Sequence, residues 1–362
     1  MLPSKRAFRI ATRCVAIGVA LLLLARVFRG ADAAEVAGLL SGLGLGGAAL
    51  LLLPQVAALT LETLGWKLTF RLGGSMVRFG ALLRVRIATE ALALSLPLGV
   101  AFAESIKPLL LGKHGGLTVE RSIAGMTARK VLILVAQSLY VGALATAGLA
   151  GLEAASVGVV GAPHLGWWSL GAAAALGATG IAFVLSLRES AFAQSTLALL
   201  GGVPSRRFRA WLAERQRAFA STDGALSAIF GKPLRKLLAP TLLYAGGWLC
   251  EALETWAILE ALGAHQSFVT VGSIEVVVSL IRNLVFVVPA GLGVQDLGYV
   301  SCFTAFGVPE AATLGAAFVL LKRGKELLWV LGGYVLLGGE LGSFAWRLDA
   351  EARAAKSAAN AR

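Results

Sequence analysis

Long apolar runs separated by short polar segments make up most of this sequence. A helix that crosses a bilayer needs about 20 mostly apolar residues. Runs of about this length are Ile10–Val27, Val36–Leu61, Val131–Leu152, Trp167–Leu187 and Leu237–Leu262. Two more apolar stretches, near 87–112 and 268–307, contain helix-breaking residues. The pattern predicts an all-α polytopic membrane protein with about six transmembrane helices and two re-entrant or broken helices; eight full spans are the alternative.

The two broken stretches share one short phrase, a proline, a glycine two places on and an acid five places after that. The first copy contains Pro97, Gly99 and Glu104, and the second contains Pro289, Gly291, Gly293 and Asp296. Proline and glycine interrupt helices, since proline lacks an N–H and glycine leaves the backbone unrestrained. Within a membrane, a broken helix is tolerated where it is buried in protein or lines a wet cavity. Both phrases therefore predict a substrate pathway with an acid beside it.

The two copies lie 192 positions apart, and Lys130 and Lys322 share that offset. The distribution of basic residues predicts that the helix before the first copy runs inward and the helix before the second runs outward. The halves would then form an inverted repeat, as in secondary transporters; a chance recurrence is the alternative. The same offset relates Glu90 to Arg282, which predicts a buried ion pair between them.

Composition and charge agree with a membrane protein. Hydrophobic residues make up 57% of the 362 residues and charged residues 15%, with a mean hydropathy of +0.78. The net charge of +13 is explained by the positive-inside rule and anionic lipids, so no nucleic acid is expected as a partner. We expect a multi-pass protein of the bacterial inner membrane, with a retained first helix and both termini in the cytoplasm.

Four regions follow from this topology. They are a first membrane half at 1–187 with a re-entrant element near 87–112, a basic amphipathic cytoplasmic loop at 188–236, a second membrane half at 237–346 with a broken element near 268–307, and a tail at 347–362. The basic loop suits a helix on an anionic membrane face, or alternatively a solvated loop that enforces topology. Charged residues at 322–326 interrupt the last apolar run and are expected near the outer boundary.

Charged side chains inside apolar runs are the candidate functional residues, because each costs about 2.5–3.5 kcal/mol at a helix centre. The candidate substrate-binding residues are Glu104, Asp296, Lys107, Arg129, Lys130, Glu90, Arg282, Lys322 and Arg323. The acids beside the breaks would contact a cationic or hydroxylated headgroup or a coupling proton, and the cations would contact a phosphate. The structural alternative is that these charges lock helices together by pairing.

Catalytic signatures are missing from the sequence. There is no phosphate-binding G-x-x-x-x-G-K-[ST] loop, no HExxH or GxSxG motif and no Cys/His cluster. We therefore predict no catalytic residues, no metal and no cofactor, and we expect that the protein is not an enzyme.

Several short motifs resemble one family. They are Trp66-Lys67, the Pro97 phrase with Glu104 and Lys107, Arg129-Lys130, the Pro289 to Asp296 phrase, Gly307-Val308 and Gly332-Gly333. Over residues 10–340 the chain resembles the flippase-like membrane domain of bacterial lysylphosphatidylglycerol synthases, whose stand-alone members include hopanoid-associated membrane proteins. The resemblance implies a lipid-translocating domain with re-entrant helices. Gln295 stands where the family usually has an arginine, and aminoacyl transfer is not expected of this chain.

A lipid flippase or transporter is the favoured function, with membrane lipids as partners. The polar lipid would be a phospholipid, an aminoacyl lipid or a hopanoid-type lipid. An integral-membrane lipid-modifying enzyme and a non-transporting partner of a lipid biosynthetic enzyme are the alternatives. A homo-oligomer is compatible with the sequence.

Overall fold

The computed structural model describes residues 22–96, 99–188, 206–284 and 291–360. Within these ranges we number twelve α-helices. They are α1 Ala33–Leu50, α2 Leu53–Leu72, α3 Phe79–Ser95, α4 Gly99–Gly115, α5 Val119–Ala147, α6 Leu149–Val160, α7 Leu165–Arg188, α8 Arg206–Phe230, α9 Leu234–Ala261, α10 Phe268–Leu284, α11 Val294–Ala305 and α12 Ala311–Asn360. The predicted all-α architecture is confirmed.

Large apolar side chains are exposed on the outside of this fold as well as buried in its cores, and several charged side chains are buried. Leu45 is 91% exposed and Val335 is 76% exposed, whereas Glu275 and Asp296 are at most 2% exposed. Three described helical stretches, Ala33–Leu72, Val119–Ala147 and Leu165–Arg188, are long and apolar enough to cross a membrane. Exposed apolar side chains on the outside, with charged groups buried inside, are expected of a protein surrounded by lipid.

Two predicted helix boundaries were wrong. The run 36–61 is divided between α1 and α2, which meet at Leu51 and Leu52, and α2 continues past residue 61 through Lys67 and Arg71 to Leu72. At the other end, α12 runs without interruption through the charged residues 322–326. The helix continues there because acids on neighbouring helices pair with these cations, so that the charges need not leave the bundle.

The first helix break lies between α3 and α4. A side chain on Gly99 would collide with the carbonyl oxygens of Leu92 and Ala93, so only glycine permits this close return of the chain. Gly291 and Gly293, at the second break, have φ values of 60° and 78°, which L-residues with side chains rarely adopt. Pro97 and Pro289, the prolines of the two phrases, and the first predicted span up to residue 21 lie outside the described residues.

The helix contacts follow the same scheme in two halves of the chain. In the first set of four helices, α2 packs on α3, α3 on α4, α4 on α5 and α5 on α2; in the second set, α9, α10, α11 and α12 make the same four contacts in the same order. The sets also exchange contacts, since α2 packs on α9, α12 on α3 and α5 on α10. One broken element thus packs on α2 and the other on α9, and α2 and α9 pack on each other.

The basic segment 188–236 contains helix α8, whose last turns pack against α5 and α7. Leu226, Ile229 and Phe230 are buried in a core that they share with α5, α7 and α9. The side chains of 206–217, which include the basic residues predicted to meet the membrane face, lie outside the described residues.

Candidate functional site

The first group of buried charges is organised around Glu62 on α2. A single oxygen of this carboxylate, Oε2, accepts from Nη2 of Arg86 on α3 at 2.9 Å and from Nη2 of Arg129 on α5 at 3.0 Å. Arg86 also approaches Glu90 one turn later on α3, with 3.4 Å from Nε to Oε2. The guanidinium of Arg129 lies 5.3 Å from the ring centre of Trp66, in a cation–π contact. One acid therefore joins three helices.

Glu104 lies five residues after Gly99 and pairs with two lysines. Its Oε1 accepts from Lys107 Nζ at 2.6 Å, and its Oε2 lies 3.4 Å from Lys130 Nζ on α5. The pair with Lys107 is local, because residues three apart share one face of α4. The pair with Lys130 joins the broken element to the long helix that follows it.

Asp296 lies five residues after Gly291 and has two roles. Its Oδ2 accepts from the N–H of Gly293 at 2.9 Å, which caps the first turn of α11. Its Oδ1 accepts from two nitrogens of Arg323 on α12, Nη2 at 2.7 Å and Nε at 3.0 Å. Arg323 also donates to Glu326 at 2.5 Å. Asp296 thus connects the second break to the long helix α12, as Glu104 connects the first break to α5.

A second buried group surrounds Glu275 on α10, which is fully buried. Its Oε1 accepts from the hydroxyls of Thr255 at 2.5 Å and Tyr299 at 2.7 Å. Lys322 Nζ donates to the Tyr299 hydroxyl at 2.8 Å and lies 4.0 Å from Glu275 Oε1. The hydroxyl of Tyr299 therefore bridges a buried cation and a buried anion.

Two further pairs join α9 to its neighbours. Lys325 Nζ on α12 lies 2.5 Å from both carboxylate oxygens of Glu254 and 3.2 Å from Oε1 of Gln55 on α2. Arg282 on α10 donates to Glu251 at 2.6 Å and lies over the ring of Trp248. Glu251 and Glu254 share a helix face, yet they bind cations from two different helices.

The predicted pair between Glu90 and Arg282 is wrong. Glu90 pairs with Arg86 on its own helix, and Arg282 pairs with Glu251 on α9. The extensive contacts between the halves include those of α3 with α12 and of α5 with α10, whereas α3 and α10 share no extensive contact. Glu90 and Arg282 each form an ion pair within their own set of four helices instead.

The cations at 322–325 lie within the helix bundle. Lys322 is 7% exposed and Lys325 binds a buried acid, while their expected position near the outer membrane boundary stays a prediction. Glu62 and Arg86 were not among the predicted site residues, because neither lies within one of the predicted apolar runs. A signal for Glu62 was present: Leu61-Glu62-Thr63 recurs as Leu253-Glu254-Thr255, 192 positions later, the same offset that relates Glu104 to Asp296.

The two groups of charges differ in formal charge. The first charge cluster consists of Arg86, Lys107, Arg129 and Lys130 with Glu62, Glu90 and Glu104. The second charge cluster consists of Arg282, Lys322, Arg323 and Lys325 with Glu251, Glu254, Glu275, Asp296 and Glu326. One cation is in excess in the first cluster and one anion in the second. Among the described residues, no three His, Cys, Asp or Glu side chains form a group that could hold a metal ion.

These features define a polytopic helical membrane protein whose interior holds paired charges beside two helix breaks. Comparison with protein families then identifies the family. Residues 13–332 match the family described as "Lysylphosphatidylglycerol synthase TM region", and the chain belongs to this family. Comparison with curated proteins and with solved structures found no significant match. Membership fits a membrane role connected with lipids.

Proposed function

We propose that this chain is a flippase-like transporter that moves a polar lipid across or between membranes. The lipid headgroup would pass along the charged interior between the two breaks, while its apolar tail stays in the surrounding lipid. Outward-facing apolar side chains and inward-facing charges, described above, support a headgroup path inside the bundle. We place the protein in the bacterial inner membrane with both termini in the cytoplasm, in line with its excess of basic residues.

The observation that carries this proposal is the pair of acids beside the breaks. Glu104 and Asp296 each follow a break glycine by five residues, and each binds a cation on the next long helix. A headgroup can take the place of the cation beside such an acid. The acid then keeps a partner throughout the exchange, and no unpaired charge is exposed to lipid. Asp296 also caps α11, whereas the ion pairs of Glu104 described above are both with lysines.

We further propose that α3–α4 and α10–α11 are re-entrant hairpins of an inverted repeat. Helices α3 and α4 each have 17 residues and α11 has 12. At 1.5 Å per residue these lengths are about 26 Å and 18 Å, shorter than the hydrocarbon core of about 30 Å. The reciprocal contacts between the two sets of helices support a two-fold relation between the halves.

Reconstituted vesicles provide the test. Purified protein is placed in liposomes with a fluorescent phospholipid, and dithionite, which does not cross the bilayer, quenches the label in the outer leaflet. We expect quenching to continue beyond the outer-leaflet fraction only with protein present. Glu104→Gln and Asp296→Asn should each slow this phase about tenfold or more, because each removes a charge-assisted interaction.

Glu260→Gln is the matched control. Glu260 is also an acid near a helix end, but it pairs with the exposed His265 outside both charge clusters. It should leave the rate unchanged. Unaltered rates in both Glu104→Gln and Asp296→Asn would refute the headgroup path. A covalently changed lipid would instead indicate a lipid-modifying enzyme, and neither movement nor modification would indicate a non-transporting partner.

A further inference from the structure

Glu275 differs from the other acids of the second charge cluster in how it meets its cation. Those acids each contact a cation directly, at 2.5–2.7 Å; they are Glu251, Glu254, Asp296 and Glu326. Glu275 instead lies 4.0 Å from Lys322, and the hydroxyl of Tyr299 bridges the two charges. The second charge cluster has one anion in excess, as described above. Glu275 is the acid in it whose contact with a cation is least direct.

One oxygen of Glu275 has no partner. Its Oε2 is buried and accepts no hydrogen bond from the described residues, whereas its Oε1 accepts from Thr255 and Tyr299. Buried carboxylate oxygens nearly always have hydrogen-bond donors, because a buried charge without them is costly. A proton on this carboxyl group would remove its charge and with it the excess anion of the cluster.

Two consecutive hydrogen bonds connect Lys322 to this carboxylate. Lys322 Nζ donates to the Tyr299 hydroxyl at 2.8 Å, and that hydroxyl donates to Glu275 Oε1 at 2.7 Å. Ammonium and phenol groups have similar acidity in water, so a proton passes between them at little cost. In the transfer, an N–H bond of Lys322 breaks while an O–H bond forms on Tyr299, and the original hydroxyl proton of Tyr299 moves to Glu275. The ion pair then becomes two neutral groups.

The titratable groups that interact electrostatically with Glu275 or Lys322 come from four helices. They are Glu251 and Glu254 on α9, Arg282 on α10, Tyr299 and Cys302 on α11 and Tyr140 on α5. On α6 and α7, which also contact α10, the charged residues are Glu153, which pairs with His164, and Arg188, the last residue of α7. An arginine keeps its proton in proteins, so Lys322 is the cation of this group that can give one up.

The hydrogen bonds of Tyr299 are tied to the second helix break. Tyr299 follows Asp296 by three residues on α11, and Lys322 directly precedes Arg323 on α12. Asp296 and Arg323 are the pair that a headgroup would separate in the proposed lipid movement. Such an exchange acts on the same two helices that hold Tyr299 and Lys322. A relative displacement of these helices by about 1 Å would break the hydrogen bond between Lys322 and Tyr299.

We propose that Lys322, Tyr299 and Glu275 form a proton relay that couples lipid movement to the proton gradient across the membrane. Glu275 binds the proton, Tyr299 passes it on, and Lys322 exchanges it as the helices at the second break move. Buried ionisable groups in membrane proteins commonly serve as proton relays. The inference rests on the proposed lipid movement and names its energy source.

Infrared spectroscopy of the full chain in nanodiscs, over a series of pH values, tests the proton on Glu275 directly. The carbonyl stretch of a protonated carboxylic acid is separate from the bands of ionised carboxylates. We expect a band of this kind that titrates with pH, is absent in Glu275→Gln, and shifts in Tyr299→Phe because one hydrogen bond to the carboxyl group is lost. If Glu275→Gln removes no such band at any pH and Tyr299→Phe shifts none, the relay is overturned.

Tyr244→Phe is the matched control. Tyr244 is also a buried tyrosine, 1% exposed, but its hydroxyl contacts Thr69 and lies outside both charge clusters. It should leave the band unchanged. Circular dichroism compares the helicity of all three variants with that of the wild type, so that a loss of folding is seen separately.

The coupling is measured in phosphatidylcholine vesicles that contain the protein, a fluorescent phospholipid and an imposed pH difference. One pH unit corresponds to about 1.4 kcal/mol per proton, so the wild type should build up to about a tenfold excess of the labelled lipid in one leaflet. Tyr299→Phe and Glu275→Gln should build up no excess, and Tyr244→Phe should behave as the wild type. Wild-type movement that ends with equal leaflets under every imposed gradient would overturn the coupling.

The two proposals fail in different ways. If lipid moves but the infrared band of Glu275 is absent, the lipid movement stands and the relay falls. If the band and its variant shifts are present but no lipid moves in vesicles, the proton site stands and the transport falls.

Discussion

Removal of Lys325 should destabilise the protein far more than removal of Lys130. Lys325 Nζ lies 2.5 Å from both oxygens of Glu254, and Glu254 is 2% exposed. Lys325→Met would leave that carboxylate buried without its counter-charge, which costs about 3–5 kcal/mol. Lys130 is 53% exposed in its side chain and lies 3.4 Å from Glu104. Loss of such a solvent-accessible pair costs about 0–1 kcal/mol, so Lys130→Met is the matched control.

The free energy of unfolding is measured by titrating SDS into mixed micelles and following helicity by circular dichroism. A double variant, Glu254→Leu with Lys325→Met, supplies the internal check. Because both charges are then absent and apolar side chains of similar volume replace them, most of the loss should be recovered. Lys325→Met alone should therefore be less stable than the double variant.

Two results would refute this reasoning. If Lys325→Met costs no more than Lys130→Met, the interior around Glu254 is open to water and the pair is not buried. If the loss of unfolding free energy in the double variant equals the sum of the losses in Glu254→Leu alone and Lys325→Met alone, the two side chains act independently. The pair is then not the source of the stability.

Two further predictions concern the charge partners and the first break. Exchanging the charges of Glu251 and Arg282 together should restore the unfolding temperature that either single reversal lowers. Exchanging the charges of Glu90 and Arg282 together should restore nothing, because these two residues have other partners. A rescue by the second exchange would contradict the observed partners. Gly99→Ala should lower stability by about 1–3 kcal/mol because its Cβ has no room. Gly80→Ala, which meets no neighbouring atom, should have little effect or stabilise slightly in the same unfolding assay.

Apolar run length predicted much of the fold. Helices α5, α7 and α9 were located because uninterrupted apolar stretches of spanning length are a strong signal. The continuity of α12 was not predictable in this way. In the sequence, its cations at 322–325 indicate the end of a transmembrane helix. Their acidic partners on α9 and α11 lie far away in the sequence, so the pairing is evident only in the structure.

The candidate site was predictable as a set of charges but not as a set of pairs. An acid inside an apolar run is conspicuous because an ionisable group in a membrane costs free energy, so Glu104 and Asp296 were predicted as site residues. Arg86 was not predicted as a site residue, because its partner Glu62 lies just after the apolar run that ends at Leu61 and 24 positions before Arg86 in the sequence. The offset of 192 positions relates residues along the sequence, but it does not say which of them touch.

The bridging position of Glu62 has a consequence for how the chain enters the membrane. Arg129 follows Glu62 by 67 residues, and Lys325 follows Glu254 by 71. At a synthesis rate of about 5–20 residues per second, the later partner emerges roughly 3–13 s after the earlier one. During that interval each acid is without the cation that follows it. Arg86 on α3 is made before Arg129 and can pair with Glu62 first. We therefore expect α2 and α3 to enter the lipid at lower cost together than one at a time.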